Sequence, residues 1–205
     1  MTIALFGASG RTGKEVLLQA LVKGYRVKAL VRREAAIDIR DEKLEIFTGQ
    51  LSDQSLINQT LEGCQAVLVA LGSRPTEEGN ILSESMSRIL LAMDVHFVKR
   101  IIVVSSAACF AKKDDSGFLG KVLRPLFSKN DCSDQVRQFE LLKESDAEWI
   151  LMRPTTLIDA IKTGKYHITL DKPAGKRIAR SDVADFMLRQ LNGSKYLRQM
   201  PIISY

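Results

Sequence analysis

Short apolar runs alternate with amphipathic segments of helix length along most of this chain, and that alternation leaves few folds open to it. Residues 2–6, 26–31, 44–47, 66–71, 101–104 and 149–152 read as strands. Most of them are apolar on both faces, as strands covered by helices on each side must be. Residues 14–22, 53–61, 81–98 and 134–144 carry apolar side chains at helical spacing, with Asp53 placed to cap its helix. Strands and helices that alternate in this way pair in parallel through right-handed crossovers. The expected fold is α/β, a Rossmann-like doubly wound parallel sheet with helices on both faces.

The last third changes character. A polar stretch from Lys162 precedes an expected strand over 166–170, a turn at 173–175, and a helix that Ser181 caps and that runs through Leu191. A chain of 205 residues is long enough to bury one sizeable core. We therefore read 1–205 as a single domain, with 155–205 as a small substrate-side extension. Residues 107–130 have weak periodicity, two glycines and Pro125, and they follow a strand directly. A loop in that place is expected to act as a lid over a site at the strand ends.

The chemistry begins at Gly7-Ala8-Ser9-Gly10-Arg11-Thr12-Gly13, between the first strand and the first helix. Gly7 permits a sharp turn, Gly10 lets the backbone approach a diphosphate, and Gly13 lets helix and strand pack closely. The helix start then offers free N–H groups and a positive dipole end to phosphate, and Ser9 and Thr12 add hydroxyl donors. The first glycine spacing is one residue wider than the common G-x-G-x-x-G, so its position in the alternation carries the reading more than the letters do. About 20 residues on, an acid would serve the ribose of NAD and an arginine the extra phosphate of NADP. This chain has Arg32 and Arg33 there, followed by Glu34. Two guanidinium groups suit a phosphate dianion, so NADP(H) is expected over NAD(H), with Glu34 on a ribose as the alternative.

Ligands in open parallel sheets lie beyond the carboxyl ends of the strands. Here those ends are Gln50-Leu51, Leu71-Gly72-Ser73-Arg74, Ser105-Ser106-Ala107 and Arg153-Pro154-Thr155. Gly72 would permit close approach to the cofactor, and Arg74 would meet a phosphate or an anionic substrate.

Composition narrows the partners. Residues 1–100 hold 13 Lys/Arg against 12 Asp/Glu, and 101–205 hold 17 against 12, so the positive surplus sits in the second half, where it can steer anions. No basic run with interleaved aromatics points to nucleic acid, and no apolar stretch approaches the roughly 20 residues that cross a bilayer, so neither is an expected partner. Three cysteines without C-x-x-C spacing, and histidines only at 96 and 167, assemble neither a metal site nor a disulfide scaffold. Cys109 reads as a small buried apolar residue, and a cytoplasmic setting fits.

With these residues in hand, the chain resembles the atypical short-chain dehydrogenase/reductases of the NmrA-like, NAD(P)H-binding group, and within it the flavin and biliverdin reductases. Besides the glycine turn, the matching stretches are Leu30-Val31-Arg32, Leu71-Gly72-Ser73-Arg74, Ser105-Ser106-Ala107 and Leu141-Leu142-Lys143-Glu144-Ser145. The late segments Tyr166-His167-Ile168-Thr169-Leu170-Asp171, Ser181-Asp182 and Phe186-Met187-Leu188 also match and look more specific to the group. The resemblance implies an NADP-type cofactor along Gly7, Ser9, Gly10, Thr12, Arg32, Leu71 and Gly72, with Ser106 beside the nicotinamide and the second substrate. The chain departs from the pattern at Gln50, where an acid would stand near the adenine, and at Gln135 and Thr155, which replace histidines.

Carbonyl reduction in ordinary short-chain dehydrogenases needs a Tyr-x-x-x-Lys pair, and none of Tyr25, Tyr166, Tyr196 and Tyr205 precedes a lysine by four residues. A conjugated acceptor delocalises the incoming charge and can take its proton from solvent. The expected activity is therefore NADPH-dependent reduction of a flavin or linear tetrapyrrole, with Ser106 and Arg74 as catalytic residues. The alternative is a non-catalytic module that senses the NADP(H) ratio for a protein partner.

Overall fold

A computed structural model describes residues 1–72, 80–110 and 129–205, the last stretch by backbone alone over 129–131. The expected catalytic Arg74, its neighbour Ser73, and the expected lid apart from its two ends lie outside the described residues. Parallel strands β1 (Thr2–Phe6), β2 (Arg26–Val31), β3 (Leu44–Thr48), β4 (Ala66–Val69), β5 (Arg100–Val104) and β6 (Glu148–Pro154) form the body of the sheet. Two short strands extend it, β8 (His167–Thr169) and β10 (Ile202–Ser204), giving the order β3-β2-β1-β4-β5-β6-β10-β8. Strand β10 runs parallel to β6 and antiparallel to β8. A separate parallel pair joins β7 (Thr156–Ile158) to β9 (Arg177–Ala179).

The period of two along β1 shows how the sheet is buried. Ile3 and Leu5 face one side, with Val16 and Leu17 of α1 (Arg11–Val22) and Phe186 of α5 (Arg180–Arg189). Ala4 and Phe6 face the other side, with Ile57 of α2 (Gln54–Leu61), Met86 and Ile89 of α3 (Ile81–Val95) and Leu142 of α4 (Lys129–Glu144). Fully burying side chains of this size stabilises the fold by about 1.5–3 kcal/mol each. The doubly wound sheet with two covered faces is thus as expected. No helix among the described residues is long and apolar enough to cross a membrane.

Helix boundaries depart from the sequence reading in instructive ways. Asp53 caps α2 as expected, accepting from Ser55 N at 2.9 Å and Leu56 N at 3.2 Å. Ser181 does not cap α5, because the N-cap is Ala179 and the Ser181 hydroxyl donates to Ala160 O at 2.7 Å. Asp134 does not begin a helix either. It lies inside α4, buried, and its carboxylate reaches across to the start of α3, accepting from Leu82 N at 2.8 Å, Ser83 N at 3.0 Å and the Ser83 hydroxyl at 2.5 Å. One carboxylate therefore satisfies two of the orphan donors of α3 and fixes α4 against it.

Candidate active site

The glycine turn is shaped by its own backbone. Gly7 has φ +86°, and a Cβ there would sit 2.5 Å from the Ala70 carbonyl oxygen, so the first turn is wedged against the end of β4. Gly13 is buried inside α1 with its Cα against the Gly7 carbonyl, and Gly10 N donates to that same carbonyl at 3.0 Å. No side chain caps α1, so its first N–H groups open toward the strand ends.

Three cavities meet at this turn. A groove of about 1010 Å³ runs past Gly7, Ser9, Gly10, Arg11, Arg32, Gln50, Leu51, Leu71 and Gly72. At its far end Ser9, Arg32, Arg33 and Ala36 frame a pocket of about 300 Å³. At the near end a pocket of about 500 Å³ shares Gly10, Arg11, Leu71 and Gly72 with the groove and adds Thr12, Ser106, Pro154 and Thr155. Apart from Gly13, which packs behind the turn, every expected site residue that the structure describes lines one of these cavities.

The inner pocket is polar, and the charged residues among its described lining are Arg11 and Arg180. Ser105 Oγ donates to Gln135 Oε1 at 2.8 Å, while Ser106 Oγ accepts from Ala108 N at 3.2 Å. The Ser105 proton is therefore spent within the wall, and the Ser106 O–H keeps no protein acceptor among the described residues. Thr155 Oγ1 is buried and has no partner among the described residues. Arg180, buried at the start of α5, lines the same pocket and pairs with Asp159 at 2.6 Å. Sequence reading missed Arg180. The available signal was a cation in the first turn of a helix, where the dipole disfavours it.

No tyrosine, histidine or lysine is among the described residues that line the inner pocket. Tyr166 instead donates to Asp185 at 3.2 Å, and burial, followed by the Asp185 charge, holds its pKa well above the usual phenol range.

The cysteines correct one expectation. Cys109 is half-buried and disulfide-bonded to Cys132, 23 residues away, so the pair ties the end of the Ser105-Ser106 strand turn to α4 three residues before Gln135. Cys64 is buried and free, and burial pushes its thiol up to about 11. The thiolate fraction near pH 8 is then of order one in a thousand. The oxidised native protein is expected to show no fast-reacting thiol toward a disulfide reagent, one after unfolding and three after unfolding with reduction. A fast thiol in the oxidised native protein would contradict this assignment.

A diphosphate laid across the carboxyl ends of a doubly wound sheet meets the backbone at just such a turn, which places the protein among the dinucleotide-binding α/β proteins. It belongs to the NAD(P)H-binding family, whose model matches residues 7–194. It is thus an NAD(P)H-binding protein of the oxidoreductase type.

Oxidoreductase GME11367 of Pestalotiopsis microspora is 26% identical over 192 residues, covering 83% of this chain and 72% of that protein. The photosystem II assembly factor Ycf39 of Trieres chinensis is 37% identical over 78 residues, 38% of this chain, which spans only 24% of that protein's length. Among solved structures, a wide-type short-chain dehydrogenase/reductase of Veillonella parvula in complex with NADP aligns with TM-score 0.80 at 16% identity, covering 100% of this chain and 94% of that one. ChuY, an anaerobillin reductase of Escherichia coli O157:H7, aligns with TM-score 0.79 at 20% identity, covering 99% and 96%. At such identities these structures share the fold.

Proposed function

We propose that the protein is an NADPH-dependent reductase that delivers hydride to a flavin or a similar conjugated acceptor such as a linear tetrapyrrole. The observation that carries this reading is the inner pocket, continuous with the nucleotide groove yet lined by hydroxyls, an amide and arginine in place of a tyrosine–lysine pair. The residues fit an NADP-type cofactor. The turn from Gly7 to Thr12, with the open start of α1, holds the diphosphate, Arg32 and Arg33 hold the third phosphate, and Gln50 and Leu51 lie on the adenine side. Leu71 and Gly72 floor the passage into the inner pocket, where Pro154 and Thr155 form a wall.

When bound, the cofactor supplies a hydride. The protein's share is to hold an acceptor in that pocket in reacting geometry, which is catalysis by proximity and orientation. Ser106 is the hydroxyl placed to donate a hydrogen bond to the acceptor, because its oxygen is fixed by Ala108 N while its proton is uncommitted.

The test is NADPH oxidation with FMN, riboflavin or biliverdin added. Acceptor-dependent oxidation is expected, reduced at least about tenfold in Ser106→Ala, at the lower end of what a positioned hydrogen-bonding or proton-donating group contributes. Tight NADPH binding without turnover of any acceptor would overturn the proposal and favour a sensor of the NADP(H) ratio.

A further inference from the structure

Arg180 is hard to explain as a structural residue. Its side chain is only 9% exposed, and a buried guanidinium needs partners to offset its lost hydration. Among the described residues it has one, Asp159, which is 68% exposed and also faces the exposed Arg11 at 3.5 Å. One carboxylate is thus shared between two guanidinium groups. Arg180 also stands in the first turn of α5, whose start has no side-chain cap; the buried Asp182 of the same turn is engaged by Thr163 and Gly164 and makes no ion pair with Arg180 among the described residues. Its side chain makes no other hydrogen bond among the described residues, and the residue lines the inner pocket. On the same pocket wall the buried Thr155 hydroxyl has no partner among the described residues. A guanidinium with donors to spare among the described residues, a pocket lined by Arg11 and Arg180 without a carboxylate, and an orphan hydroxyl together describe a site for an oxyanion.

We propose that Arg180, backed by Thr155, docks a carboxylate or phosphate group carried by the electron acceptor, so that the acceptor is an anion. The proposal rests on the inner pocket being the acceptor site. Asp159 holds the guanidinium in place until the ligand's oxyanion takes over, and being exposed it turns outward into water at little cost.

FMN and riboflavin share a ring system and differ by one phosphate, and biliverdin and its dimethyl ester differ by two carboxylates. Binding of each to the NADP⁺-saturated protein, followed by fluorescence quenching or calorimetry, reads the proposal without turnover and so separately from the reductase reading. FMN is expected to bind at least about tenfold tighter than riboflavin, the size of a charge-assisted pair. In Arg180→Leu that ratio should fall to about one, and Arg180→Lys should keep part of it, since lysine supplies charge without the fork. Asp159→Asn removes the competing anion and should raise the ratio about threefold, a direction that a purely structural pair would not produce.

NADP⁺ affinity should change less than about twofold in Arg180→Leu. A matching loss of NADP⁺ affinity would assign the anion to the cofactor and overturn the proposal. So would an equal preference for charged and neutral members of both ligand pairs, or a ratio that Arg180→Leu leaves intact.

Discussion

Gly13→Ala is expected to lose measurable NADP(H) binding and to lower the unfolding midpoint by about 5 °C. Helix propensity alone predicts the opposite, because alanine in a helix is favoured over glycine by about 1 kcal/mol. The added Cβ, however, lands on the Gly7 carbonyl, with the Gly7 carbonyl carbon at 2.7 Å and Ala8 Cα at 2.9 Å. These are backbone atoms of the turn and cannot rotate aside as a side chain can. Overpacking of this kind costs about 1–3 kcal/mol and more where the neighbour is rigid, which exceeds the propensity gain and moves a midpoint by several degrees in a chain this long. Relief comes by pushing the turn away from the start of α1, which separates the groups that face a diphosphate. Gly72→Ala is the control, because a Cβ there meets nothing within 4 Å and stability should stay at wild type. Thermal unfolding and a fluorescence titration with NADPH measure both effects. Unchanged affinity in Gly13→Ala would mean that the turn does not hold the diphosphate.

The body of the sheet was legible because a strand buried on both faces is an almost unbroken apolar run, and β1, β2, β3 and β5 stand within a residue of the expected places. Strands β7, β9 and β10 have three residues each, too short to show any period, and what makes them strands is pairing with distant segments, as β10 pairs with β6 and β8. Helix starts were read late for a related reason. The first turn of α1 is Arg11-Thr12-Gly13 and that of α4 is Lys129-Asn130-Asp131, and neither contains a large apolar residue to mark the helical face. Ser181 misled because it is a good capping residue whose hydroxyl had a nearer use on Ala160.

At the site, legibility followed contiguity. The glycine turn and the strand-end pairs are short peptides whose geometry is dictated locally, so their letters were enough to place them. The pairs Ser105–Gln135, Arg180–Asp159 and Cys109–Cys132 join residues 30, 21 and 23 positions apart, and only the fold brings them together. Asp134 on the start of α3 spans 52 positions, and nothing in its neighbourhood announces that role. The consequence is that the nucleotide turn and the strand ends could be read from the chain, whereas the partners that Gln135, Asp159 and Cys132 supply to them could not.

In Arg32→Ser/Arg33→Ser the preference for NADPH over NADH is expected to collapse, with NADPH affinity falling about 30- to 150-fold and NADH affinity within about threefold of wild type. Charge-assisted hydrogen bonds to phosphate contribute about 1.5–3 kcal/mol each, and both arginines are exposed, so solvent screening puts the pair near 2–3 kcal/mol in total. Both side chains border the pocket of about 300 Å³ with Ser9 and Ala36, whereas Glu34, also exposed, starts the short 3-10 turn and does not line it. That arrangement favours a phosphate over a ribose hydroxyl as the group recognised there. Titrations at low ionic strength and at about 0.5 M salt give a second reading, since a preference built on exposed charges shrinks as they are screened. Equal losses for both nucleotides would assign the arginines to the diphosphate. A large loss of NADH affinity in Glu34→Ala, with the arginine variant unaffected, would instead make the carboxylate the selecting group and NADH the cofactor.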